Sequence, residues 1–305
     1  KCHTGQGKRR FQYLLTHPCF DETWLEEEYD MMSQLLCQRD MIDPIRKTLA
    51  QICDMEKISK QISYNKILPS TIYKWYKSLE KTEQLMTCFH EIPSISSYLC
   101  KPEFKRNFIT ENLSHEDYRT ELNDLIVYLE HHLHLENCAS VSSTSSFENN
   151  IIPLGVNAEL DNMMNQNKKA RDRLDILHNF FEKELGINKK DCIKKHQPEK
   201  NRISLQLTKQ RSETLKKNMA LKWGKSIVPI IELDSDICFN HNEIKFINAK
   251  SNYVDISFPL LDSICSDIFH VKGLINDKIS EQYSLTIRDI DDLFATTMDH
   301  CSQYI

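Results

Sequence analysis

Two clusters of side chains in this sequence have types and spacings suited to chemistry. The larger is basic. From residue 186 to residue 225 stand twelve lysines and arginines (Lys189, Lys190, Lys194, Lys195, Lys200, Arg202, Lys209, Arg211, Lys216, Lys217, Lys222 and Lys225) against three acids, Asp191, Glu199 and Glu213. That is a local balance of +9 in a chain of formal net charge −5, so the remainder carries −14. Cations concentrated in one place on an acidic body attract a polyanion there while the body repels it. A merely solvated charged face is the competing reading. The smaller cluster is Glu130, His131 and His134 in EHHLHLENC, where the two histidines lie about one helical turn apart. Zinc or iron takes such ligands, yet the sequence holds no HExxH and no second cluster to complete a site. Histidines fraying at a helix end account for the pattern better, so no metal ligand and no catalytic residue is assigned. No GxxxxGK[ST] loop occurs and the six glycines are dispersed, which excludes nucleotide binding by a phosphate loop within this chain.

The elements that must position the basic cluster follow from hydrophobic periodicity. Residues 157–186, NAELDNMMNQNKKARDRLDILHNFFEKELG, place Leu160, Met163, Asn167, Ala170, Leu174, Leu177 and Phe181 at alternating spacings of three and four. This winds a narrow seam along an otherwise polar helix. About 30 residues at 1.5 Å each span roughly 45 Å, longer than a small domain is wide, so the helix reads as a projecting arm. Packing is what stabilises such a helix, and the expected partner of the seam is an antiparallel return within residues 242–282. Between arm and return, residues 201–207 alternate Ile203, Leu205 and Leu207 with polar neighbours and read as a strand. A basic helix follows over 209–222, then a short apolar run at 227–231. Residues 237–247 read as a hairpin turning at Asn240, His241 and Asn242.

The rest reads as a helical body, as six glycines in 305 residues and abundant Leu, Lys, Glu, Gln and Met suggest. Helices are expected over 6–16 with Phe11, Leu14 and Leu15 on one side, and from Asp21 with Leu25, Tyr29, Met32 and Leu36 at spacings of four, three and four. Pro44 marks another start, with Ile45, Leu49, Ile52, Met55 and Ile58 continuing one period across Asp54. Further inner faces are Ile72, Trp75, Leu79 and Leu85, then Leu122, Leu125, Ile126 and Leu129. A Ser-rich stretch at 140–150 is the clearest interruption. Pro259 opens the return helix with Leu260, Leu261, Ile264, Ile268, Val271 and Ile275 inward. A separate last helix over 286–304 groups Ile287, Ile290, Leu293, Phe294 and Met298. Eleven cysteines are scattered through apolar positions without a CxxC pair, which points to small core residues in a reducing, intracellular setting rather than to disulfides. No apolar run approaches the roughly 18 residues of a membrane span, so the chain is expected to be soluble. It begins at Lys1 in the middle of a helical motif and reads as a fragment of something longer.

Taken in order, these residues resemble a family. Thr4, Gly7, Lys8 and Arg9, followed by Leu14, Leu15, Pro18 and Asp21, are similar to the TxxGKR…LL..P..D opening of the core domain of the MutS family of DNA mismatch-recognition ATPases. Leu25, Asp30 and Met32 fit its I..R.D.V helix, and Asp54, Met55, Glu56 and Lys57 its DLER motif. Asn157, Ala158, Glu159, Leu160 and Asp161 match the NAELD that opens the clamp, Gly186 and Ile187 the Gly-Ile at the end of that helix, and RISLQLTK at 202–209 the strand ending in VTK. Glu28 and Lys57 stand where the family has arginines, and the NAERYITPEL segment is reduced to traces around Asn248 and Ala249. The ordered set covers essentially the whole chain.

The resemblance implies a mainly α protein: a helical core or lever domain with an inserted coiled-coil arm ending in a small α+β clamp tip. Its parts would be residues 1–155 for the first part of the core, 156–250 for the clamp and 251–305 for the returning core helices. The implied role is to grip double-stranded DNA through its phosphates and to couple clamp closure to an ATPase domain outside this chain. ATP, magnesium and dimerisation would belong to that domain, and neither a cofactor nor an enzymatic activity to this chain. The contacts assigned to the DNA backbone are Lys189, Lys190, Lys194, Lys195, Lys200 and Arg202 at the turn of the arm, with Lys216 and Lys217 on the next helix as second choices. Two rival classes remain: a non-enzymatic coiled-coil spacer, which leaves the basic tip unexplained, and a metal-dependent hydrolase built on His131, His134 and Glu130.

Overall fold

A computed structural model describes residues 2–37, 39–93, 95, 115–186, 192–199, 202–223, 230–234, 237–249 and 252–304. Ten α-helices and two small antiparallel sheets appear among them. Two compact units divide it: Lys1–Val156 with Ile279–Ile305, and Asn157–Lys278. Among the described residues no helix is long and apolar enough to cross a membrane.

The first unit is helical. Its elements are α1 (Gly5–Thr16), α2 (Glu22–Cys37), α3 (Arg39–Leu49), α4 (Met55–Ser63), α5 (Pro69–Glu91), α6 (His115–His132), the short α7 (Leu135–Cys138) and the end of α10 (Pro259–Tyr304). Thr4 caps α1, its hydroxyl accepting from the Gly7 amide at 3.1 Å. Gly5 is required by close approach, since a Cβ there would lie 2.5 Å from Asp54 Oδ2. The inner faces expected on α5 and α6 are buried: Ile72, Trp75, Leu79 and Leu85 against Leu122, Leu125, Ile126 and Leu129. The Ser-rich stretch is tied down, because Val141 and Phe147 are buried, the Val141 carbonyl accepts from Ser70, and Asn137 donates to the Asn150 carbonyl at 2.6 Å. From α10, Tyr283 donates to the Ile67 carbonyl at 2.9 Å, and Asp291 accepts from Ser63 at 2.7 Å.

Several expectations need correcting here. The helical period does not run on across Asp54. Helix α3 contains Pro44 rather than starting at it and stops at Leu49, and α4 starts anew because the Asp54 carboxylate accepts from the Lys57 amide. The apolar faces of α1 and α2 do not point into a core: Phe11, Leu15, Tyr29, Met32 and Leu36 are exposed, and α2 has no buried residue. The return helix and the last helix are one continuous element, α10, of 46 residues. No proline, αL residue or cap interrupts it near residue 280. Within it Ile287, Ile290 and Met298 are buried as expected, but Leu293 is 65% exposed.

The second unit is built on α8 (Ala158–Leu185), which the Asn157 side chain caps by accepting from the Glu159 and Leu160 amides at 3.1 and 3.0 Å. Then come β1 (Lys194–Glu199), β2 (Arg202–Thr208), α9 (Lys209–Trp223), β3 (Ile230–Asp234), β4 (Ile237–Asn240), β5 (Lys245–Asn248), β6 (Tyr253–Ser257) and the start of α10. One sheet has the order β1-β2-β6-β5, all neighbours antiparallel, and among the described residues β3 pairs only with β4. The hairpin read at 237–247 is thus corrected. The chain does turn in a 3-10 element, His241–Glu243, but β4 and β5 leave that turn for different sheets. Leu174, Leu177 and Phe181 of α8 share one apolar core with Leu205, Leu207, Leu215, Phe239, Ile256, Phe258, Leu261 and Ile268. The arm and its return run antiparallel: Glu159 pairs with Lys278, Asn167 with the Ile268 carbonyl, and Phe181 with Phe258.

Candidate nucleic-acid interface

The basic segment is held by the far end of α8. Gly186 ends that helix at φ +68°, the left-handed conformation that favours glycine, and the Asn218 side chain of α9 donates to the Glu184 and Leu185 carbonyls at 2.9 and 3.3 Å. Two of the carbonyls left over at the helix end are thereby satisfied and α9 is fixed against it. The chain re-enters at Cys192, where the Glu182 carboxylate accepts from the Cys192 and Ile193 amides at 2.9 and 3.3 Å. His178 Nε2 lies 2.7 Å from the Ile193 carbonyl, and Arg211 donates to the Cys192 carbonyl at 2.9 Å. These contacts set the position of β1.

Strand β1 gave no sequence signal. KKHQPE has no apolar alternation, because it is an edge strand, and lysine and proline are what edge strands carry. Its register places Lys194 opposite Gln206, and Lys195 opposite Leu205. Gln206 in turn faces Asp255 and donates to it at 3.1 Å, while Lys245 of β5 faces Ser257. Side chains alternate across a sheet, so Lys194 and Lys245 stand at opposite edges of its outward face, the one turned away from Leu205, Leu207 and Ile256.

The assigned lysines differ in their surroundings. Lys195 is ion-paired to Asp175 of α8. Lys216 and Lys217 are exposed on α9, with Lys216 Nζ lying 4.8 Å from the centre of the Phe246 ring in a cation–π contact. Lys222 is taken up by Glu184 at 2.6 Å. Among the described residues, no carboxylate pairs with Lys194, Lys216, Lys217 or Lys245. Arg202 opens β2 opposite Glu199. Lys189, Lys190 and Lys200 lie outside the described residues. Lys245 was missed because it lies twenty residues beyond the basic run and joins the tip only through pairing of β5 with β6.

The histidine cluster has other partners. Glu130 accepts from the Tyr76 hydroxyl at 2.7 Å, and burial followed by this carboxylate pushes the phenol well above its ordinary range. His134 precedes α7, its amide donating to the Ile151 carbonyl at 2.8 Å. Among the described residues no three His, Cys, Asp or Glu side chains converge as metal ligands would.

The family model for MutS domain III matches residues 1–302. The chain is 27% identical over 186 residues to a DNA mismatch repair protein MutS of Persephonella marina, covering 60% of this chain and 19% of that protein. The corresponding protein of Aquifex pyrophilus is 27% identical over 184 residues, with 60% and 19% covered. That of Thermotoga petrophila is 22% identical over 284 residues, with 92% and 31% covered. The chain spans less than a third of the length of the curated relatives it matches.

Proposed function

Since this chain belongs to the MutS family, as its domain III, we propose that it is the lever and clamp region of a mismatch repair protein and grips duplex DNA through the phosphate backbone. The observation that carries this reading is the set of exposed lysines without a described carboxylate partner on the second unit, Lys194, Lys216, Lys217 and Lys245, in a chain that is acidic as a whole. Point charges of this kind meet phosphate oxygens and carry no sequence information. About six such contacts give a steep salt dependence, with a slope near −0.9 per phosphate. The helical first unit then acts as a lever that passes clamp closure to an ATPase domain elsewhere in the polypeptide, where ATP, magnesium and the dimer contact would reside. Domain III is not the ATPase domain of the family, and no residue of this chain is assigned to make or break a bond.

The test is a salt titration of duplex binding. Changing Lys194, Lys216, Lys217 and Lys245 together to Glu is expected to abolish binding while leaving the thermal melt nearly unchanged, because exposed charges without an ion-pair partner contribute little to stability. Matched and mismatched duplexes are expected to bind alike. A charge-reversed protein that binds as the parent does would leave a coiled-coil spacer as the better account.

A further inference from the structure

The antiparallel helix pair of the arm is not uniformly packed. Its outer part is cored by Leu174, Leu177, Phe181, Leu261, Ile264 and Ile268. Nearer the root, residues 161–173 of α8 bury a single side chain, and residues 269–278 of α10 bury none. The one buried residue is polar: Asn167 donates to the Ile268 carbonyl at 3.1 Å and accepts from Arg171 at 2.7 Å. Within the same stretch of α10 stands Gly273, where an added Cβ would meet nothing within 4 Å and no positive φ is required. Neither packing nor backbone geometry calls for a glycine there, and in a helix interior it lowers stability relative to alanine. A hollow of about 800 Å³, lined by Ile203, Phe269, His270, Gly273, Leu274 and Asp277, lies along this face and leaves room for displacement.

We propose that this thin two-helix neck, with Gly273 at its centre, is the joint at which the arm bends. Few buried apolar contacts and a glycine in mid-helix are the physical conditions for low local stability, and they coincide in one segment between better-packed ends. The mechanical inference does not depend on what the tip holds; its use in closing on duplex DNA rests on the function proposed above.

Hydrogen exchange of the intact protein without DNA, read by mass spectrometry on peptides, tests it. Amides of 161–173 and 269–278 are expected to exchange faster than those of 174–185 and 259–268. Gly273→Ala is expected to slow exchange in 269–278 by about fivefold, the factor that the helix preference of alanine over glycine corresponds to. A neck that exchanges as slowly as the outer pair overturns the joint, and a fast neck unmoved by Gly273→Ala overturns the part given to the glycine. Both readouts are taken without DNA, so their failure is distinguishable from failure of duplex binding.

Discussion

Arg9 holds Asp54 with two parallel hydrogen bonds, Nη1 to Oδ2 at 2.7 Å and Nη2 to Oδ1 at 2.8 Å, and reaches Glu56 Oε2 at 2.6 Å with the same fork. The pair ties the GKR turn of α1 to the start of α4 across 45 residues. It supplies a physical reason for two of the motifs that mark the family. Gly5 gives α1 the closeness to Asp54 that the fork needs, and Asp54 serves both as salt-bridge partner and as helix cap. Lys57, where the family has arginine, contributes its amide to that cap.

Asp54→Asn keeps the capping oxygen and removes the charge, so it isolates the ion pair. Arg9 holds the Asp54 carboxyl below the ordinary aspartate range. A depressed folded pKa contributes stability that is present above the unfolded value, about 4, and is lost as pH falls through the folded value. The parent is therefore expected to melt above Asp54→Asn by an amount that is constant from pH 5 to 8 and closes at more acid pH. The side chains are partly exposed, so the gap should be no more than about 1 kcal/mol. A gap unchanged below pH 4 would show that the loss comes from the cap and not from the charge.

Leu125 is fully buried on α6. Leu125→Ala removes three buried carbons and leaves a cavity, so denaturant melts should show a loss of about 2 to 5 kcal/mol. A loss under about 0.5 kcal/mol would mean that this face of the helix relaxes into the space.

These cases also show where a sequence speaks. Asn157 and Gly186 bound the arm because a cap and a left-handed turn are local events, written in adjacent residues. Leu160, Leu174, Leu177 and Phe181 are buried because a seam of that period had to be covered. On α2 the same kind of period misleads, for spacing defines an apolar face and says nothing of what lies against it: Tyr29, Met32 and Leu36 form a face left exposed. The divergence of β4 and β5 was hidden for a similar reason, since partners in a sheet are set by long-range pairing, while the turn at 241–243 is local. At the tip, Lys194 and Lys195 read alike as neighbours, and only register separates them, one on the outward face and one beside Asp175.

Burial pushes the Cys138 and Cys301 thiols up to about 12, which leaves roughly one part in ten thousand as thiolate at pH 8. Alkylation of the native protein at that pH should modify the exposed Cys19, Cys37 and Cys238 and spare Cys138 and Cys301 until denaturant is added. Rapid native labelling of Cys301 would contradict the packing of the end of α10.

The last prediction separates lysines that composition alone treats as equivalent. Lys194 and Lys245 project from the outward sheet face with no carboxylate ion-paired to them among the described residues, whereas Asp175 holds Lys195 and Glu184 holds Lys222. A cation already neutralised by a carboxylate must give up that partner before it meets a phosphate, so it releases less counterion on binding. Lys194→Ala and Lys245→Ala should each lower the slope of log affinity against log salt by about 0.9, the value for one phosphate contact. Lys195→Ala and Lys222→Ala should lower it distinctly less. Slopes measured on one duplex across a range of salt concentrations decide the matter. Equal losses at all four positions would mean that the ion pairs open on binding, and no loss at Lys245 would remove β5 from the interface.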